Sequence, residues 1–170
     1  MLERLNEQVE RGYVLLQAGV AEGALGEIPA AYRRAQDLAQ LDNAALATLA
    51  RVASDFVCRL GLASGADWTT STDASGNSAN LEGRSPQQRV FARRMMAAWS
   101  SGDTDSFDAL LSAACTEHPQ RRRSYLEGLF QLAIDEADMH GQRMARPFTV
   151  VGQLTHSILE VGLKTADGNA

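Results

Sequence analysis

Residues 132–142 read LAIDEADMHGQ and place Asp135, Glu136, Asp138 and His140 close together just before a glycine. Carboxylates and an imidazole at this density can hold zinc or iron, or share a proton in acid–base chemistry. On a helix, Glu136 and His140 stand four apart on one face, which makes them the candidate metal-ligand pair. A dimetal centre in a helical bundle draws glutamates from two helices and a Glu-x-x-His from each of two others. No Glu-x-x-His occurs at three-residue spacing in this chain, and no second segment offers a matching Glu and His on an apolar face. A helix end asks for the same residues. His140 in a last turn complements the helix dipole, and Gly141 suits the position just past the end. Asp135, Glu136 and Asp138 fall off the apolar stripe. The stretch therefore predicts a solvated helix terminus, with no metal and no cofactor.

The other reactive side chains read similarly. Cys115 and His118 are three apart, but Cys115 falls on an apolar stripe and His118 precedes Pro119. His156 shares the polar side of its segment with Gln153 and Glu160. Cys58, like Cys115, sits among apolar residues. Two unpaired thiols acting as small hydrophobes suit a reducing cytosol. The chain has no G-x-S-x-G, no G-x-x-x-x-G-K-[ST] and no G-x-G-x-x-G. No catalytic residue is assigned.

Arginine is the remaining chemistry. Arg121, Arg122 and Arg123 stand at a helix start, where three cations oppose the dipole. Arg89, Arg93 and Arg94 form a second cluster on the polar side of a neighbouring segment. Together the six are a candidate patch for an anion or an acidic partner. The simpler reading is solvated charge paired with acids such as Glu117 and Glu127.

These residues must be positioned by helices, because 3.6-residue periodicity runs through almost the whole chain. Leu5, Val9, Tyr13, Leu16 and Val20 make the first stripe. Pro29 suits a first helical turn, followed by the small-residue face of Ala31, Ala35 and Ala39 with Tyr32 and Leu38. Asp42 or Asn43 can cap a third helix carrying Leu46, Leu49, Ala53, Phe56, Val57 and Leu60, and Gly61 is expected to end it. Ser85-Pro86-Gln87-Gln88 is a capping box ahead of Phe91, Met95, Ala98 and Trp99. Gly102 marks a turn, and Asp103 or Thr104 caps the stripe of Phe107, Leu110, Leu111, Ala114 and Cys115. Residues 120–140 have a wide apolar face, which predicts a central helix. A last helix spans roughly 147–163, where Phe148–Val151 could instead start a strand that has no partner.

The expected fold is thus an all-α bundle of about seven helices. Residues 1–62 form three, residues 85–170 form four, and residues 63–84 form a long flexible loop rich in Gly, Ser and Thr, with Trp68 as its one large anchor. The two helical segments are expected to pack as one domain.

The stretch AWSSGDTDSFDALLSAACTEHP resembles the second helix of a tetratricopeptide repeat, with Gly102 and Asp103 at the turn and Ala114 at a packing position. The likeness covers one helix pair, and no period near 34 residues recurs. AAWSSGDTD also resembles the opening helix of SnoaL-like cyclases, which implies a curved sheet afterwards. A segment rich in Arg and Leu follows here instead. Neither likeness carries a family assignment.

With 170 residues, 45% hydrophobic and 22% charged, the chain can bury a core without staples. Its net charge of −5 is spread along the sequence, and no section is net basic, which argues against nucleic acid. The apolar runs are too short to span a membrane, and the amphipathic N-terminus does not read as a secretory signal. The expectation is a cytoplasmic, non-enzymatic helical module that binds another protein or itself, a homo-oligomer being the commonest way to bury such faces. The alternative is a helical small-molecule sensor or enzyme whose pocket is lined by Phe91, Met95, Trp99 and Phe130.

Overall fold

The computed structural model describes residues 2–64, 85–143 and 147–162. Among these there is no strand, and seven α-helices follow one another. They are α1 (Leu2–Ala24), α2 (Ile28–Leu38), α3 (Asn43–Ser64), α4 (Pro86–Ser100), α5 (Thr104–Thr116), α6 (Pro119–Asp138) and α7 (Pro147–Ser157). Single π-helical turns, Met139–Arg143 and Ile158–Gly162, follow α6 and α7. The all-α bundle read from periodicity is the observed fold.

Local chemistry sets most boundaries. Ser85 Oγ accepts from the Gln88 amide at 3.3 Å, and Gln88 Oε1 accepts from the Ser85 amide at 2.9 Å. That reciprocal box satisfies two donors that a helix start leaves open. Asp103 caps α5 by accepting from the Ser106 amide at 3.0 Å. Gly102, at φ +74°, takes the left-handed conformation that the tight α4–α5 turn requires.

One expected boundary is corrected. Gly61 does not end α3, which runs on to Ser64. Helical packing outweighs the small propensity cost of an internal glycine. Residues 148–151 belong to α7, as the helical reading of 147–163 expects, and not to the alternative strand. The flexible loop expected at 63–84 lies, from residue 65 onward, outside the described residues, as does Trp68.

The core is one continuous cluster drawn from all seven helices. It runs from Leu16 and Val20 through Phe56, Met95 and Phe107 to Phe130 and Leu154. Residues on both sides of positions 63–84 therefore share it. Phe56, Phe107 and Phe130 are fully buried, each contributing roughly 2–3 kcal/mol of hydrophobic stabilisation. Helix α6 lies at the centre, packed against α1, α2, α3, α4 and α5. From Leu132 to Ala137 every residue is buried, the pattern of a helix covered on all sides.

Close backbone contact holds one end of this packing. A Cβ on Gly23 of α1 would stand 2.9 Å from the Ile134 carbonyl oxygen of α6. A Cβ on Gly141 would stand 2.3 Å from the Ala24 carbonyl oxygen. Gln142 Nε2 donates to that same Ala24 oxygen at 2.9 Å, satisfying a carbonyl at the end of α1.

Candidate functional site

Helix α6 places Asp135 and Glu136 where the sequence did not. Both are buried, as is His140, at 5%, 7% and 5% exposure. The expectation of a solvated helix terminus is overturned. An apolar stripe marks exposure only when one face of the helix meets water, and no face of α6 does at this level. Gly141 is likewise no left-handed terminator, since Gly26 and Gly102 are the positive-φ glycines. It is the point where the π-helical turn touches α1.

Asp135 Oδ1 accepts from the Tyr32 hydroxyl of α2 at 2.5 Å, a pairing across 103 positions that uses the small-residue face of α2. Glu136 Oε2 lies 3.8 Å from His140 Nε2, too long for a hydrogen bond. His140 Nε2 makes no hydrogen bond among the described residues. Burial, reinforced by the adjacent Asp135 charge, pushes the Glu136 carboxyl up to about 7. Burial lowers the His140 imidazole. Each effect disfavours the ionised form, so the pair is not a strong ion pair at neutral pH. Among the described residues no group of three or more His, Cys, Asp or Glu side chains is placed to hold a metal ion.

A second polar centre was not singled out in the sequence. Asp55 of α3 accepts from Arg59 Nε at 2.5 Å, from Trp99 Nε1 at 3.3 Å and from Ser157 Oγ at 2.7 Å. One carboxylate thereby joins α3, α4 and α7. Its partners are sequence-distant, so only Arg59, four residues on, was legible as a pair. Cys58 beside it is buried, and its thiol is pushed up to about 12 by desolvation first and the Asp55 charge second. A thiol so held is a poor nucleophile. Cys115 is half-buried and its thiol is raised by burial, with Arg122 pulling the other way. His118 is exposed and uses Nδ1 to accept from the Gln120 amide at 3.4 Å. His156 is exposed.

The arginines divide by task. Arg122 reaches across to the α2–α3 corner, donating to Ala39 O at 3.2 Å, Leu41 O at 2.9 Å and Asn43 Oδ1 at 2.7 Å. That accounts for a cation at a helix start: its head serves the carbonyls of another helix end. Arg121 stands 3.9 Å from Glu117, and Arg123 is exposed. Arg89 and Arg93 are half-buried on α4, while Arg94 is exposed.

Among the described residues, a cavity of about 410 Å³ between α3 and α5 is lined by Ala47, Leu111 and Cys115, and an open groove runs between α4 and α5. Two cavities, of about 370 and 660 Å³, share Arg94, Leu110 and Ala113. The first continues over Val90, Phe91 and Tyr125, and the second runs to Ser101 and Asp103 at the turn. Neither is lined by Asp135, Glu136 or His140. Of the four residues expected to line a pocket, Phe91 borders this groove and packs against Tyr125 in a tilted pair with ring centroids 5.1 Å apart. Met95 and Phe130 are fully buried in the core. Trp99 packs edge-on against Phe107 and donates to Asp55. The four therefore do not converge on one pocket. Val90, the missed residue, is 48% exposed at the groove. The available signal was that Gln87, Arg93 and Arg94, three and four positions away on the same helix face, are polar.

Among the described residues no helix is long and apolar enough to cross a membrane. No family model, no curated protein and no solved structure matches this chain.

Proposed function

We propose that this chain is a non-enzymatic helical interaction module that receives a protein partner in the α4–α5 groove. The carrying observation is that two adjoining, largely apolar cavities run along this hairpin with Val90 half-exposed beside them. Single exposed apolar residues are ordinary on protein surfaces. An exposed residue bordering a continuous apolar groove is the arrangement that interfaces use. The buried polar groups support the same reading from the other side. Asp135, Glu136 and His140 line neither cavity, and the Cys58 thiol is buried and held protonated, so none of these groups meets the groove. Cys115 borders a separate cavity between α3 and α5, with its thiol raised by burial.

The cavity volumes also lie in the range of small-molecule sites, which keeps a ligand-binding sensor as the second reading. A sensor site needs several polar groups converging on the apolar space, and within this groove Asp103 and Glu117 are already engaged by Ser106 and Arg121. The test uses the full chain and its Val90→Asp variant as paired baits, alongside a thermal-shift screen of metabolites. A partner retained by the wild type and lost by the variant is the expected result. A monomer that retains none and is stabilised by one metabolite class would establish the sensor instead.

A further inference from the structure

We infer that the occupant of the α4–α5 groove is an amphipathic helix of a partner protein bearing a carboxylate that meets Arg94. This rests on the interaction reading above and names the chemistry of the partner. The groove is lined by side chains of α4 and α5 with Tyr125 of α6, and the backbone groups of these helices are satisfied internally. An extended peptide laid there would find no free backbone edge to pair with, and its own amides and carbonyls would be stranded over Phe91, Leu110 and Ala113. A helix brings its hydrogen bonds with it and seats its ridges between those of α4 and α5. Concavity also disfavours the same groove of a second copy, since two hollows leave each other unfilled. The groove follows α4, whose 15 residues span about 22 Å. That length matches a partner helix of about four turns, with apolar residues at spacings of three and four.

Charge selects among such helices. Asp103 at one end is engaged by Ser106, with Oδ2 accepting from the Ser106 hydroxyl at 2.6 Å, and Glu117 at the other faces Arg121. Arg94 lines both cavities and is exposed, and no hydrogen bond or ion pair engages it among the described residues. A single uncommitted cation thus stands midway along an apolar groove. It favours a carboxylate at the centre of the incoming helix, flanked by apolar residues one turn either side, and penalises a lysine there.

A display library of 15-residue helical peptides, selected on the full-length chain, tests this. The expected winners share apolar positions at helical spacing and an Asp or Glu at one central position. Their binding falls at least a hundredfold with Val90→Asp and about tenfold with Arg94→Glu. A winner whose acid is changed to Lys regains affinity for Arg94→Glu. Winners that need Val90 but have no preferred acid and ignore Arg94→Glu would overturn the acidic helix while leaving the groove as the binding site. Winners that bind in an extended conformation would do the same. A selection that yields no peptide dependent on Val90 would overturn the groove itself. Circular dichroism of both variants, unchanged from wild type, confirms that each loss is local.

Discussion

The α1–α2 side and the α4–α5 side of the bundle both pack on α6, and they end differently. On the first, glycine lets backbones touch: Gly23 meets Ile134 and Gly141 meets Ala24. Polar groups are enclosed there, with Tyr32 on Asp135 and Glu136 facing His140. On the second, α4 and α5 leave a space between them that is lined in part by Ala97, Ala109 and Ala113. Phe91, Leu110 and Tyr125 line a groove that no described helix covers. One side is closed by contact and tolerates no added atoms. The other is left open, with its apolar surface and Arg94 facing outward. The contrast teaches that the residues most suggestive of chemistry in the sequence belong to the closed side, while the proposed binding surface belongs to the side that encloses none of them.

The largest expected effect is on the closed side. Gly141→Ala should lower unfolding free energy by about 3 kcal/mol in urea titration, since the new methyl meets Ala24 backbone that cannot swing away. A change below about 0.5 kcal/mol would mean that the contact is not tight.

The Glu136 carboxyl comes next. Its folded value is raised to about 7 from an ordinary 4.5, so the folded state binds more protons between those values. The cost of burying it is absent below about pH 4.5, grows through the interval and is complete above pH 7. Glu136→Gln should therefore gain stability relative to wild type as pH rises from 5 to 8, by about 2 kcal/mol. His140 works in the opposite sense, because its lowered value costs stability as pH falls through the ordinary histidine range. Comparing variant with wild type at each pH isolates the glutamate. A difference that does not change with pH would contradict its burial.

How much of this was legible follows from which contacts are local. The Ser85 box and the Asp103 cap are satisfied within three residues, so their sequence patterns were enough. The wide apolar face of residues 120–140 correctly marked the central helix. That same centrality hid the placement of Asp135 and Glu136, because a stripe loses its meaning on a helix covered all round. Tyr32 and Ser157 lie more than a hundred positions from their carboxylate partners, and nothing short-range announces such pairs. Phe91 and Arg94 were named as candidates, but the groove that unites them depends on where α5 leaves α4 uncovered, which is a tertiary fact.

Smaller effects sharpen the contrast. Gly152 of α7 is exposed, with nothing within 4 Å of an added Cβ. Gly152→Ala should stabilise the fold by about 0.5–1 kcal/mol through reduced unfolded-state freedom, opposite in sign to Gly141→Ala. Val90→Asp should leave thermal stability within about 0.5 kcal/mol of wild type, as for exposed positions generally. A large loss there would make Val90 a core residue and remove the groove from the surface.

The most direct measurement is photo-crosslinking in cells that express the chain natively, with a photoreactive residue placed at Val90 or, as a control, at Val14, an exposed apolar position on α1. Crosslinking at Val90 into one protein of defined mass, with none at Val14, is the predicted result. The absence of an adduct at Val90, or the same adducts from both positions, would contradict the α4–α5 groove as the binding surface.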